Sequence, residues 1–151
     1  MCKPSFRQAV NQSNNLQGCC QAGLQALGNN SKKVKVDDTR HLQGSVALDE
    51  CLKQVKPYST EHRWDYLVGY QEGCLFCVEV HGDKPKEVLA KKAWLDRWLR
   101  GAGFPLRRWA RSIMYYWIPT GQVSKAWNAK GTALSTQGII VTRQAKIQCK
   151  P

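Results

Sequence analysis

The second half of this chain is almost without negative charge. Beyond Asp96 there is no carboxylate side chain, while Arg97, Arg100, Arg107, Arg108, Arg111, Lys125, Lys130, Arg143, Lys146 and Lys150 follow it. Residues 1–75 carry nine basic and seven acidic groups, whereas residues 76–151 carry fourteen and four. A solvated face usually mixes both signs, so a one-sided half points to a polyanionic partner, and nucleic acid is the commonest one, DNA before RNA. No apolar run approaches the roughly 18 residues that a membrane span needs. The opening Met-Cys-Lys-Pro-Ser-Phe is not followed by an apolar signal-peptide core. No clean basic amphipathic helix stands at either terminus, which ranks an anionic membrane surface below nucleic acid. The expectation is a cytoplasmic protein with no membrane partner. Also missing are a glycine-rich phosphate loop, a nucleophile elbow, zinc-finger spacing, internal repeats and any low-complexity linker.

What is present is enough to build a core. The chain has 151 residues, 42% of them hydrophobic, with six Trp and a formal net charge of +12. That excludes a disordered basic tail and predicts a single domain over residues 1–151. Seven cysteines are irregularly spaced. Without an export signal they read as reduced, buried thiols rather than a disulfide framework. Cys74 and Cys77 lie three apart in an apparent strand, so their sulfurs face opposite ways and make a poor zinc grip.

Periodicity along the chain predicts a helix over 16–27 stopped at Gly28, a short strand at Val34–Val36, and a second helix capped by Ser45 and ending before Pro57. A hairpin follows, 63–70 and 74–81 around Gln71-Glu72-Gly73, then a helix over 84–100 closed by Gly101. Residues 112–118 read as a strand covered on both faces, 120–137 as irregular, and 138–142 as a last short strand. The order predicts an α/β domain with a mixed central sheet flanked by helices.

The hairpin carries the residues with chemical potential. Leu75, Cys77, Glu79 and His81 share one face of their strand, and Asp65 opens the antiparallel neighbour, so Asp65, Glu79 and His81 are expected to converge at one sheet edge. A Glu and a His ending an apolar strand need partners there. Two such carboxylates can bridge a hard cation such as Mg²⁺. On the next helix Val88, Trp94, Leu95, Trp98 and Leu99 form one apolar arc. Lys91 falls inside that arc and Lys92 at its border, which makes Lys91 a candidate partner for Glu79, with Glu87 as the simpler alternative. Trp94 and Trp98 read as core. Trp109 and Trp127, in Arg/Lys/Gly-rich segments, remain open to base stacking.

Glu50 on an upstream helix, Asp65 opening a strand, and Glu79-Val80-His81 closing the next strand before a helix resemble the restriction-endonuclease-like, PD-(D/E)XK, superfamily. The resemblance covers residues 45–118 and leaves 119–151 as a basic extension. It implies metal-dependent phosphodiester hydrolysis, with Asp65 and Glu79 as ligands of Mg²⁺ (or Mn²⁺) and Glu50 as an additional metal carboxylate. The lysine of the motif is His81 here, and Trp64 stands where a proline is expected. The resemblance then implies that Lys91 or Lys92 substitutes for that lysine, or that His81 handles the attacking water. Arg107, Arg108, Arg111, Lys125 and Lys130 would grip flanking phosphates without reading sequence. Members of the superfamily often pair, so a homodimer is a further implication. Two other readings stand beside the nuclease: a non-catalytic nucleic-acid-binding protein on the same fold, and an interaction module for an acidic protein.

Overall fold

Near-continuous apolar character in Cys74–His81 and Ser112–Pro119 places both strands in the middle of a sheet covered on two faces. In the computed structural model, which describes residues 5–121 and 131–149, these are β4 and β5. Seven strands are described: β1 (Val34–Val36), β2 (Leu42–Ala47), β3 (Tyr66–Tyr70), β4 (Cys74–His81), β5 (Ser112–Pro119), β6 (Ile139–Val141) and β7 (Ala145–Ile147). The helices are α1 (Phe6–Gln12), α2 (Leu48–Leu52), α3 (Pro85–Arg100), α4 (Phe104–Trp109) and α5 (Gly131–Thr136). A five-stranded mixed sheet has the order β2-β3-β4-β5-β6, and β1 pairs with β7 in a separate two-stranded parallel sheet. β3 is antiparallel to both β2 and β4, whereas β5 is parallel to β4 and to β6. The α/β class with a mixed, helix-flanked sheet therefore holds.

Alternation along β4 splits the core into two layers. Leu75 and Cys77 join the larger cluster with α1, α3 and α4, while Cys74, Phe76 and Val78 join the other with Val34, Ala145 and Ile147. The two thiols thus face opposite sides, as pleat geometry requires. Val88, Trp94, Leu95, Trp98 and Leu99 bury the expected arc of α3. Trp109, left open to base stacking by its sequence, is core: it is 3% exposed and its ring lies 5.2 Å from that of Phe6.

Several expectations change. Residues 16–27 form no α-helix, because Gly18, Gly23 and Gly28 all take positive φ and the chain bridges Gln21 to Ser45 before a 3-10 segment over Gln25–Lys33. Ser45 is not a helix cap; it lies in β2 and its Oγ accepts from Ala26 N–H at 3.1 Å. α1 was not expected. Its seat exists because Gly69 leaves room for the Phe6 ring, which a Cβ would approach to 2.5 Å. α4, α5 and β7 also lie in stretches that show no clear period.

The cysteines are not all thiols. Cys19 pairs with Cys51 and Cys74 with Cys149, with Cα–Cα separations of 6.6 and 6.3 Å, while Cys20 and Cys77 are free and buried. The sequence separations of 32 and 75 residues hid these pairings from local pattern reading. The expectation of reduced thiols therefore holds, among the described residues, for Cys20 and Cys77 alone. No helix among the described residues is long and apolar enough to cross a membrane.

Candidate active site at the sheet edge

Because β3 and β4 are antiparallel, the residue entering β3 lies beside the one leaving β4. Tyr66 pairs with Val78, which sets Asp65 next to Glu79 and Val80. The contact is reciprocal: Asp65 N–H donates to Glu79 Oε1 at 3.0 Å, and Val80 N–H donates to Asp65 Oδ2 at 3.0 Å. Each carboxylate therefore has one oxygen fixed by the other strand's backbone. The remaining oxygens, Glu79 Oε2 and Asp65 Oδ1, lie 2.6 and 3.9 Å from the Lys91 ammonium. α3 delivers that lysine from within its buried arc, where Lys91 is 17% exposed against 0% for Glu79.

His81 adds a further layer. Its Nδ1 is 3.8 Å from Glu79 Oε2, and its Nε2 is 2.7 Å from Glu87 Oε2 on the first turn of α3. Of the two candidate partners of Lys91, Glu79 is the one it takes, while Glu87 partners His81. Lys92 turns away and donates to Asp96 Oδ2 at 2.9 Å.

The electrostatics follow from burial. Burial first, and the like charge of Asp65 second, push the Glu79 carboxyl up to about 8. Burial likewise raises Asp65, opposed by Lys91. Burial works against the Lys91 charge, but Glu79 and Asp65 outweigh it and hold the ammonium above its ordinary value. Two carboxylates and one ammonium make a coupled set of net −1, which takes up one proton near neutral pH. A second cation at this edge would displace that proton.

Not every candidate reaches this edge. Glu50 points away on α2, where its side chain is 63% exposed and binds Lys53 at 2.7 Å. Its neighbour Asp49 faces the site instead: Asp49 N–H donates to Asp65 O at 3.3 Å, its charge acts on both Asp65 and Lys91, and its Oδ1 accepts from Arg63 Nε at 2.9 Å. Arg107, Arg108 and Arg111 lie at the opposite end of the sheet. Cys74 pairs with Ser112 and Glu79 with Trp117, so Arg111 lies just before the start of β5, about 20 Å from the level of Glu79 at 3.3 Å per residue. Lys125, Lys130 and Trp127 lie outside the described residues.

Among the described residues no group of three or more His, Cys, Asp or Glu is placed to hold a metal ion. The acid pair still suits one hard cation. Mg²⁺ binds through one or two carboxylates and fills its remaining positions with water and phosphate oxygens. The two unfixed oxygens already converge on a cation, the Lys91 ammonium. No family model, curated protein or solved structure matches this chain.

Proposed function

We propose that the chain is a metal-dependent nuclease that hydrolyses phosphodiester bonds of DNA or RNA. The observation that carries this reading is the pair of carboxylates whose free oxygens share one lysine at the edge of a buried sheet. The succession of β2, α2, the antiparallel pair β3 and β4, α3, α4 and a β5 parallel to β4 supports a restriction-endonuclease-like core. Asp65 and Glu79 are the residues that would hold Mg²⁺ or Mn²⁺, without Glu50. Such a cation, when bound, supplies charge stabilisation on the phosphoryl oxygens and a water of lowered pKa.

The chain's own groups do the rest. The backbone N–H groups of Asp65 and Val80 hold the two carboxylates in fixed orientation, so little reorganisation is needed at the moment of reaction. Lys91, on a rigid helix, orients the attacking water and balances charge as the phosphate becomes more negative. His81, steadied by Glu87, is the group able to take that water's proton.

Incubation of the protein with DNA and RNA substrates, with and without Mg²⁺ or Mn²⁺, tests the proposal beside Asp65→Asn and Glu79→Gln. The expected result is metal-dependent cleavage that falls by at least about a hundredfold in either variant. Cleavage of the same rate in both variants sinks the site.

A second reading has its own observation. Lys91 already sits on Glu79 at 2.6 Å and neutralises it without a metal, which suits a non-catalytic nucleic-acid-binding protein. Binding without cleavage in any divalent metal selects that reading.

A further inference from the structure

The cations of this chain divide by what they face. Arg40, Lys53, Arg63, Lys84, Lys91 and Lys92 each pair with a carboxylate. Arg97, Arg100, Arg107, Arg108 and Arg111 form no ion pair among the described residues, and no carboxylate side chain follows Asp96 to supply one. Two of these arginines, from different helices, meet at one concavity. A cleft of about 200 Å³ between the end of α3, α4 and the start of β5 is lined by Asp96, Leu99, Arg100, Arg107, Ile113 and Tyr115. That is several times the roughly 30 Å³ share of one water molecule.

Asp96 is already committed within the cleft. Its Oδ2 accepts from Lys92 at 2.9 Å and its Oδ1 from the Tyr115 hydroxyl at 3.2 Å, while the Lys92 ammonium lies 4.5 Å from the centre of the Tyr115 ring. The carboxylate is spent on holding this wall. Arg100 and Arg107, both exposed, line the same hollow and form no ion pair among the described residues. A guanidinium pair of this kind suits a tetrahedral oxyanion, because each planar fork donates two parallel N–H bonds.

We infer that this cleft binds a backbone phosphate of a nucleic acid through Arg100 and Arg107. The inference rests on nucleic acid being the substrate and adds the direction in which it lies. Ile113 and Tyr115 flank α3 on the same sheet face as Cys77 and Leu75, the face that Glu79 and Lys91 share. Arg100 follows Lys91 by nine residues on α3, about 13 Å along the axis. That distance corresponds to about four steps of a duplex at 3.4 Å each. The backbone therefore runs along α3, with one phosphate in the arginine cleft and the reacting phosphate at Asp65 and Glu79. Neither contact reads a base, so the grip is independent of sequence.

Fluorescence anisotropy with labelled duplex DNA, single-stranded DNA and RNA, in EDTA and over a salt series, tests this. Wild type is compared with Arg100→Gln, Arg107→Gln, the double variant and, as control, Arg40→Gln. Arg40 is bound to Asp38. The double variant is expected to bind about tenfold more weakly at low salt, with the salt slope reduced by about 0.7–0.9, and Arg40→Gln to bind as wild type. In Mg²⁺ the double variant is expected to need about tenfold more substrate for half-maximal cleavage, in step with its weaker binding. Wild-type binding that the double variant leaves unchanged overturns the cleft and leaves the nuclease reading standing. Weakened binding with no cleavage in any metal overturns the nuclease reading and retains the cleft. Wild type that binds a sulfated polysaccharide but none of the three nucleic acids overturns the cleft as a phosphodiester site.

Discussion

The two ends of α3 handle positive charge in opposite ways. Towards its N-terminus the helix sends Lys91 inward to two buried carboxylates, and every polar atom in that cluster has a named partner. Towards its C-terminus the helix sends Arg100 outward to a cleft shared with Arg107, and neither forms an ion pair among the described residues. A buried cation must be paired because desolvation costs several kcal/mol, whereas an exposed one can wait for a ligand because water screens it. The first end is therefore suited to chemistry and the second to capture. Each end also has its own covalent tether: Cys19–Cys51 behind α2 at the acid edge, and Cys74–Cys149 at the start of β4.

The tethers give the largest expected effects. Loop-closure entropy for separations of 32 and 75 residues puts each disulfide at about 4 kcal/mol. Thermal melts with and without reductant should show a large fall in Tm. Cys19→Ser and Cys74→Ser should each account for part of it. An unchanged Tm under reduction means that the sulfurs contribute nothing as pairs, and the comparison of two separately tethered ends then fails.

The buried cluster comes next. Lys91→Met leaves Glu79 and Asp65 without their cation and is expected to cost about 3 kcal/mol at pH 8. The cost shrinks near pH 5, where Glu79 takes up a proton instead. Urea denaturation at the two pH values separates these outcomes, and an equal cost at both removes Glu79 from the account.

Wild-type stability should also depend on pH through Glu79. Its carboxyl titrates near 4.5 ordinarily and at about 8 in the fold. Between those values the native state holds a proton that the unfolded chain has lost. Stability from this group is thus full below about 4.5 and declines as pH rises through about 8, by on the order of 3 kcal/mol. Glu79→Gln should flatten that slope in EDTA. A slope that persists in the variant assigns it to another group.

At the other end the effects on folding should be smallest. Arg100→Gln and Arg107→Gln are exposed substitutions at residues that form no ion pair among the described residues, and they should shift stability by no more than about 0.5 kcal/mol. A loss comparable to that of Lys91→Met would mean that both ends of α3 serve the fold alike.

Parts of this arrangement are legible without coordinates. The 63–81 hairpin shows itself through its alternation and its glycine turn, and α3 through an apolar arc interrupted by one lysine. From these the meeting of Asp65, Glu79, His81 and Lys91 follows, since antiparallel pairing brings one strand's entry to the other's exit. β2 is harder to see, because its apolar residues run straight into α2 and mimic one longer helix. Glu50 entered only through the family resemblance, and no period in the short α2 distinguishes it from Asp49, whose charge acts on Asp65 and Lys91. α1 is too short to declare itself and depends on the gap at Gly69.

The amino-acid sequence by itself determined the acid-poor second half, the amphipathic lysine of α3 and the strand pair that carries the carboxylates, because these depend on composition and on periods of two and 3.6 residues. Only the tertiary structure decided where the unpaired arginines gather, which carboxylate of α2 looks inward and which cysteines meet. Those outcomes depend on contacts between residues far apart in the chain, such as Cys74 with Cys149 and Arg63 with Asp49, which no local pattern encodes.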